Sequence, residues 1–201
     1  MSAFLGPIHF WLYKKINIQN NIVEDILDLS DKLNLNIRNG LYEKYDDGDL
    51  KPLDEVIDTS NIHGWLQNEI TKVEYKLAFA VAEILEKNPE KLDEIKSIFK
   101  SNGMKYSELN KDSLANEGLK HINDTLLDGM PCDHVNVVVT QEDDEAIWKR
   151  TLCVHSKFWD EAKSDVSIYY DLRGEFIKGL ISPSSLNYEK IDETTYKISR
   201  G

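Results

Sequence analysis

Two copies of Cys-x-His, Cys132-Asp133-His134 and Cys153-Val154-His155, bracket the stretch from Pro131 to Phe158 and hold both cysteines of the chain and two of its five histidines. Thiolate and imidazole together are ligands for zinc or iron, and Cys2His2 is an accepted ligand set. They are also the nucleophile and base, or the thiolate and its stabilising cation, of thiol catalysis. A third reading is structural: a cysteine is often a small buried hydrophobe, and a histidine near a strand end is often an ordinary hydrogen-bonded core residue.

Which reading holds depends on how the segment between the motifs folds. Val135, Val137, Val138 and Val139 are β-branched and strand-prone, and a polar run from Gln141 to Glu145 leads to Ile147, Trp148 and Leu152. The pattern predicts a hairpin turning between Glu142 and Asp143. Pairing Thr140 with Glu145 sets Cys132 opposite Cys153 and His134 opposite Thr151. Side chains alternate across a strand, so Cys132, His134, Cys153 and His155 are expected on one face. Opposed Cβ atoms lie about 4.5–5.5 Å apart, which makes the thiols near neighbours. A one-residue slip turns one thiol to the other face.

Cys153 is expected just before a helix beginning near Ser156 and Lys157, a setting that lowers a thiol pKa. In the catalytic reading Cys153 is the nucleophile and His155 its base. In the metal reading Cys132, His134, Cys153 and His155 are ligands, with His9 and His63 able to reach inward from the apolar stripes of two helices. Glu69 and Glu74 suggest a di-metal carboxylate bundle, but that needs paired Glu-x-x-His motifs on facing helices, which are missing, and the idea is set aside. Trp148, Phe158, Trp159, Tyr169 and Tyr170 either wall a ligand pocket or fill the seam between sheet and helices.

The elements that must position these residues are mostly helical. The spacing predicts helices over 2–16, 20–35 and from Thr59 or Ser60 to Lys87, the last with Leu66, Ile70, Val73, Leu77, Val81 and Ile84 as its core stripe. His63 lies one heptad before Ile70 and is expected to continue that inward face. Residues 42–58, with Gly48 and Pro52, read as an acidic loop with at most one helical turn. Asn88-Pro89 opens a further helix that stops at Asn102-Gly103, and another spans Tyr106 to Leu127. After the hairpin come a short helix over 157–162, a longer one over 165–180, and a second hairpin pairing Leu186–Ile191 with Thr194–Ile198. The expected fold class is α+β: an N-terminal helical bundle packed on a small antiparallel sheet of two hairpins, with C-terminal helices. The chain is expected as a single compact domain over 1–201, with a subdivision at residue 130 into a helical part and an α/β hairpin part as the alternative.

Apolar residues make up 41% and charged residues 30% of the 201-residue chain, an ordinary globular balance. A net charge of −12 disfavours nucleic acid and anionic membrane surfaces as partners. With two cysteines there is no disulfide framework, and no run approaches the roughly 20 apolar residues of a spanning helix. The expected setting is cytoplasmic with reduced thiols. Motifs for dinucleotides, phosphate loops, serine hydrolases, zincins and thioredoxin-like redox are all missing from the sequence.

The last fifty or so residues resemble the L-2-amino-thiazoline-4-carboxylic acid hydrolase-like family. The likeness lies in the strand running into Arg150-Thr151-Leu152-Cys153, the aromatic helix Phe158-Trp159-Asp160-Glu161, the helix Asp171 to Leu180 and the closing hairpin Leu186 to Ser199. Family members carry further cysteines before the later helix and in the final strand, where this chain has Tyr169-Tyr170 and Thr195-Tyr196-Lys197-Ile198. The resemblance implies helices followed by a small sheet sheltering a pocket, and hydrolysis of a C–N bond in a small cyclic substrate. Together these readings point to an enzyme-like thiol or metal site acting on a small polar molecule, against a metal- or cofactor-binding module for sensing or storage and a helical interaction protein with structural cysteines.

Overall fold

A computed structural model describes residues 4–46 and 51–201. The expected first residues of the opening helix and Gly48 of the acidic loop lie outside the described residues.

The first element is one helix, α1 (Pro7–Lys32), where the sequence suggests two. The polar cluster at residues 17–21 resembles a helix break, yet it bonds sideways to neighbouring elements. Asn20 Oδ1 accepts from buried Lys76 Nζ at 2.8 Å, and Asn21 Nδ2 donates to the Tyr106 hydroxyl at 2.8 Å. Pro7 begins the helix, and the Gly6 N–H donates to His9 Nδ1 at 2.9 Å, satisfying one donor the helix start leaves open.

Two short helices follow, α2 (Ile37–Tyr45) and α3 (Leu53–Val56), the first of them not expected from the sequence. The long helix α4 (Ile62–Lys87) is capped by Asn61, whose side chain accepts from the Gly64 N–H at 3.2 Å. Its predicted stripe is buried from Leu66 to Ile84 against α1. His63, expected on that face, is exposed, because Ile62 and Leu66 take the inward positions of the first turn and His63 falls to the side of them.

Helix α5 (Leu92–Lys105) passes through Asn102-Gly103 rather than stopping there. Gly103 and Gly179 are where α5 crosses α8 (Val166–Ile181) at backbone contact: a Cβ on Gly103 would lie 2.1 Å from the Phe176 carbonyl oxygen, and one on Gly179 2.0 Å from that of Lys100. The stretch expected as a helix from Tyr106 is helical only in α6 (Ala115–Thr125). Serine and asparagine side chains compete there for the backbone: the Asn110 N–H donates to Ser113 Oγ at 3.0 Å and the Asp112 N–H to Asn110 Oδ1 at 2.9 Å.

Strands β1 (Asn136–Gln141), β2 (Glu145–Arg150), β3 (Leu186–Lys190) and β4 (Thr195–Arg200) form one antiparallel sheet in the order β1-β2-β4-β3. Ala146, Trp148, Leu186, Tyr196 and Ile198 are buried on its inner face, in an apolar core that also takes in α1, α4, α5, α6 and α8. Short α7 (Ser156–Glu161) closes the gap between α4 and α8. The fold is α+β, as the pattern of elements predicts. Among the described residues no helix is long and apolar enough to cross a membrane.

The register of the first hairpin differs from expectation. Asn136 faces Arg150 and Val138 faces Trp148, then a bulge at Val139 brings Thr140 opposite Ile147. Pro131–Asp133 form a turn of 3-10 helix, and His134 adopts a left-handed φ of 49°, so the strand begins only after both residues of the first Cys-x-His motif. Cys132 is therefore not paired with Cys153 across a ladder.

Candidate thiol site at the Asp128–Gly129 turn

Cys153 lies just past the end of β2, half-buried, in the bend that leads into α7. Its Sγ accepts a hydrogen bond from the Tyr170 hydroxyl of α8 at 3.2 Å. Burial raises the thiol pKa, but the Tyr170 hydroxyl, the backbone N–H groups of His155 and Ser156 and the charge on His155 together hold it below the ordinary cysteine value. Burial and the neighbouring sulfur push the Tyr170 hydroxyl the other way, so it stays a protonated donor. The Arg150 guanidinium stacks 4.0 Å over the Tyr170 ring and fixes its plane.

Behind the thiol, His155 is 1% exposed and held between two carboxylates from different elements. Its Nδ1 lies 2.9 Å from Glu74 Oε2 on α4. Its Nε2 lies 3.6 Å from Asp128 Oδ1, beyond hydrogen-bond length, so Asp128 acts on it as a charge. Burial pulls the imidazolium down, and the Glu74 and Asp128 carboxylates outweigh it and push the pKa up to about 9. The ring rests on Tyr169 with centroids 4.0 Å apart.

Both carboxylates are anchored further out. Glu74 Oε1 accepts from Gln19 Nε2 of α1 at 2.9 Å. Asp128 Oδ2 accepts from Arg173 of α8 at 2.8 Å and from Asn136 Nδ2 of β1 at 2.8 Å. Burial would raise the Asp128 pKa, but Arg173, His155 and Lys15 hold the carboxyl far below the usual range. Glu74, Asp128, His155 and Arg173 form two anions and two cations, an arrangement that limits the cost of burying charge. The turn carrying Asp128 needs glycine next: Gly129 has φ of +71°, and a Cβ there would lie 2.5 Å from the Asp133 carboxylate.

The thiol opens on a cleft of about 470 Å³ lined by Gln67, Thr71, Asp133, Ser156 and Lys157 together with Cys153. The wall itself carries the Cys153 thiol, the carboxylates of Glu74 and Asp133 and the Lys157 side chain, while Tyr170 and His155 act on the sulfur from behind the wall. As an imidazolium with Nδ1 on Glu74, His155 has no free lone pair and acts on the Cys153 sulfur as a nearby positive charge.

Of the residues singled out by sequence, Cys153 and His155 come together here. Cys132 is exposed in the 3-10 turn, and His134, also exposed, lines a separate hollow. His9 and His63 meet each other, ring centroids 5.6 Å apart, at the starts of α1 and α4. Among the described residues no group of three or more His, Cys, Asp or Glu converges as a metal-ion set. The aromatic residues divide: Phe158 lines the cleft, Tyr169 and Tyr170 support His155 and Cys153, and Trp148 and Trp159 fill the core.

The partners that sequence reasoning missed left a signal. Glu74 falls among inward positions of α4, four after Ile70 and three before Leu77, and Arg173 sits four after Tyr169 and three before Phe176 on the apolar face of α8. A charge on an inward stripe requires a buried counter-charge. Burial alone marks out Glu74, whatever becomes of the di-metal idea. Comparison of the chain with models of protein families, with curated proteins and with solved structures finds no match.

Proposed function

We propose that the protein is a thiol-dependent enzyme acting on a small polar molecule, with Cys153 as the attacking thiolate. The observation that supports this most is the Cys153 sulfur at the wall of a 470 Å³ cleft, accepting from Tyr170 at 3.2 Å in front of a buried imidazolium. Such surroundings stabilise a thiolate over a thiol, which distinguishes a nucleophile from an inert buried cysteine.

The resemblance of the last fifty residues to the L-2-amino-thiazoline-4-carboxylic acid hydrolase-like family suggests the reaction class, hydrolysis of a C–N bond. In that scheme the Cys153 sulfur bonds to the electrophilic carbon, the C–N bond breaks and the nitrogen leaves with a proton. Water then cleaves the S–C bond, adding hydroxyl to carbon, freeing the thiolate and returning to solvent the proton that the leaving nitrogen took from it. His155 offsets the negative charge on sulfur before attack and after release. A thiol with this duty suits the reducing cytoplasm.

The test is alkylation of the whole protein with iodoacetamide across pH, followed at each cysteine by peptide mass spectrometry, with exposed Cys132 as internal reference. Cys153 is expected to react with a midpoint below about 8.5, and Tyr170→Phe, which removes one donor to sulfur, to raise that midpoint by about one pH unit. A Cys153 midpoint no lower than that of Cys132, or one unmoved by Tyr170→Phe, overturns the proposal.

A further inference from the structure

Gly129 also lines a second hollow, of about 220 Å³, walled by Trp11, Lys15, Asp128, Asn136 and Trp148, with Val138 at its rim. The unusual member is Lys15, on the inward side of α1 and only 6% exposed. Its ammonium sits 4.0 Å over the Trp11 ring and, among the described residues, has no hydrogen bond or ion pair.

The reason is that both nearby carboxylates are taken. Asp124 accepts from Trp11 Nε1 at 2.9 Å and from Lys120 Nζ at 2.6 Å. Asp128 is held by Arg173 and Asn136. The charged groups acting on Lys15 are thus Asp128 and Asp124, which favour its protonation, and Arg173, which opposes it. Burial outweighs them, and the amine's pKa falls to about 8. A lysine held only over an aromatic ring, with no hydrogen bond or ion pair among the described residues, serves poorly as a salt bridge and well as a neutral amine.

We propose that Lys15 is the amine of a covalent carbonyl-binding site, in which a small aldehyde or ketone enters the hollow between Trp11 and Trp148 and condenses with Nζ to an imine. The nitrogen lone pair forms the new bond to the carbonyl carbon. The C=O bond is replaced by C=N, and the carbonyl oxygen leaves as water with the two protons of the neutral amine. No oxidant or reductant is involved, and water entering from the open side reverses the step. The site is independent of the Cys153 thiol, which opens on the other hollow.

The test traps the imine in the full chain with propanal and cyanoborohydride near pH 7.5, and peptide mass spectrometry locates the propylated lysines. Lys15 is expected to be modified more than about tenfold faster than exposed Lys163, because a larger fraction of it is neutral at that pH. Val138→Trp, at the exposed rim, is expected to slow Lys15 by a similar factor and to leave the iodoacetamide reaction of Cys153 as in the wild type. Modification of Lys15 no faster than Lys163 in the wild type overturns the proposal, as does a Lys15 rate that Val138→Trp does not change.

Discussion

Glu74→Gln isolates the charge that keeps His155 protonated while preserving size and the ability to accept from Gln19. In the fold the His155 pKa rises from 6.5 to about 9, with Glu74 the first of the two carboxylates that raise it. A shift of that size corresponds to about 3 kcal/mol of linkage, since one unit is about 1.4 kcal/mol. A raised pKa contributes stability that is fully present below 6.5, the unfolded value, and is lost as pH climbs through about 9. Asp128 remains in the variant, so Glu74→Gln should remove the larger part, about 2 kcal/mol near pH 6. For a chain of this length that is roughly 5 °C in melting temperature. Near pH 9.5 wild-type His155 has largely lost its proton, and the gap between the two proteins should shrink to under about 1 kcal/mol. Urea unfolding at a series of pH values measures both free energies. A gap of equal size at both ends of that range would falsify the ion-pair reasoning, because it would mean that His155 is neutral in the folded protein.

Two further outcomes follow from the packing and from the outer shell of the same network. Gly179→Ala places a methyl group 2.0 Å from the Lys100 carbonyl oxygen, so α5 and α8 must separate, and urea unfolding should show a loss of about 3 kcal/mol; a loss under about 0.5 kcal/mol would show that the helices do not cross so closely. Arg173→Met leaves Asp128 without its principal cation and should cost about 3–5 kcal/mol, whereas Asp128→Asn combined with Arg173→Met should cost less than the sum of the single changes; simple additivity in that double-mutant cycle would refute a direct coupling.

Periodic segments were readable in the sequence, and local polar chemistry was not. The apolar stripe of α4 and the alternation of the closing hairpin each repeat one signal over many residues, so the expected and observed elements coincide. Residues 17–21 and 106–114 are different. In the first, Gln19, Asn20 and Asn21 look like a break but bond to partners on α4 and beyond it; in the second, Ser107, Asn110 and Ser113 compete successfully with helical bonding. Whether such a side chain caps, breaks or bridges depends on what lies opposite, which is information of the fold.

The same division runs through the site. Residue types and spacing alone placed Cys153 and His155 together, since two residues so close in the chain beside a strand end can hardly be separated. They also determined the helix-then-sheet order and the inward stripe of α4 beside which Glu74 lies. Only the tertiary structure decided that Cys132 turns away, because a left-handed residue at His134 and a bulge at Val139 set the register, and neither has a sequence signature strong enough to read. It alone brought Glu74, Asp128, His155 and Arg173 to one point from four places along the chain. Buried charges choose partners by distance in space, and a linear pattern carries the burial of each without the identity of its neighbour.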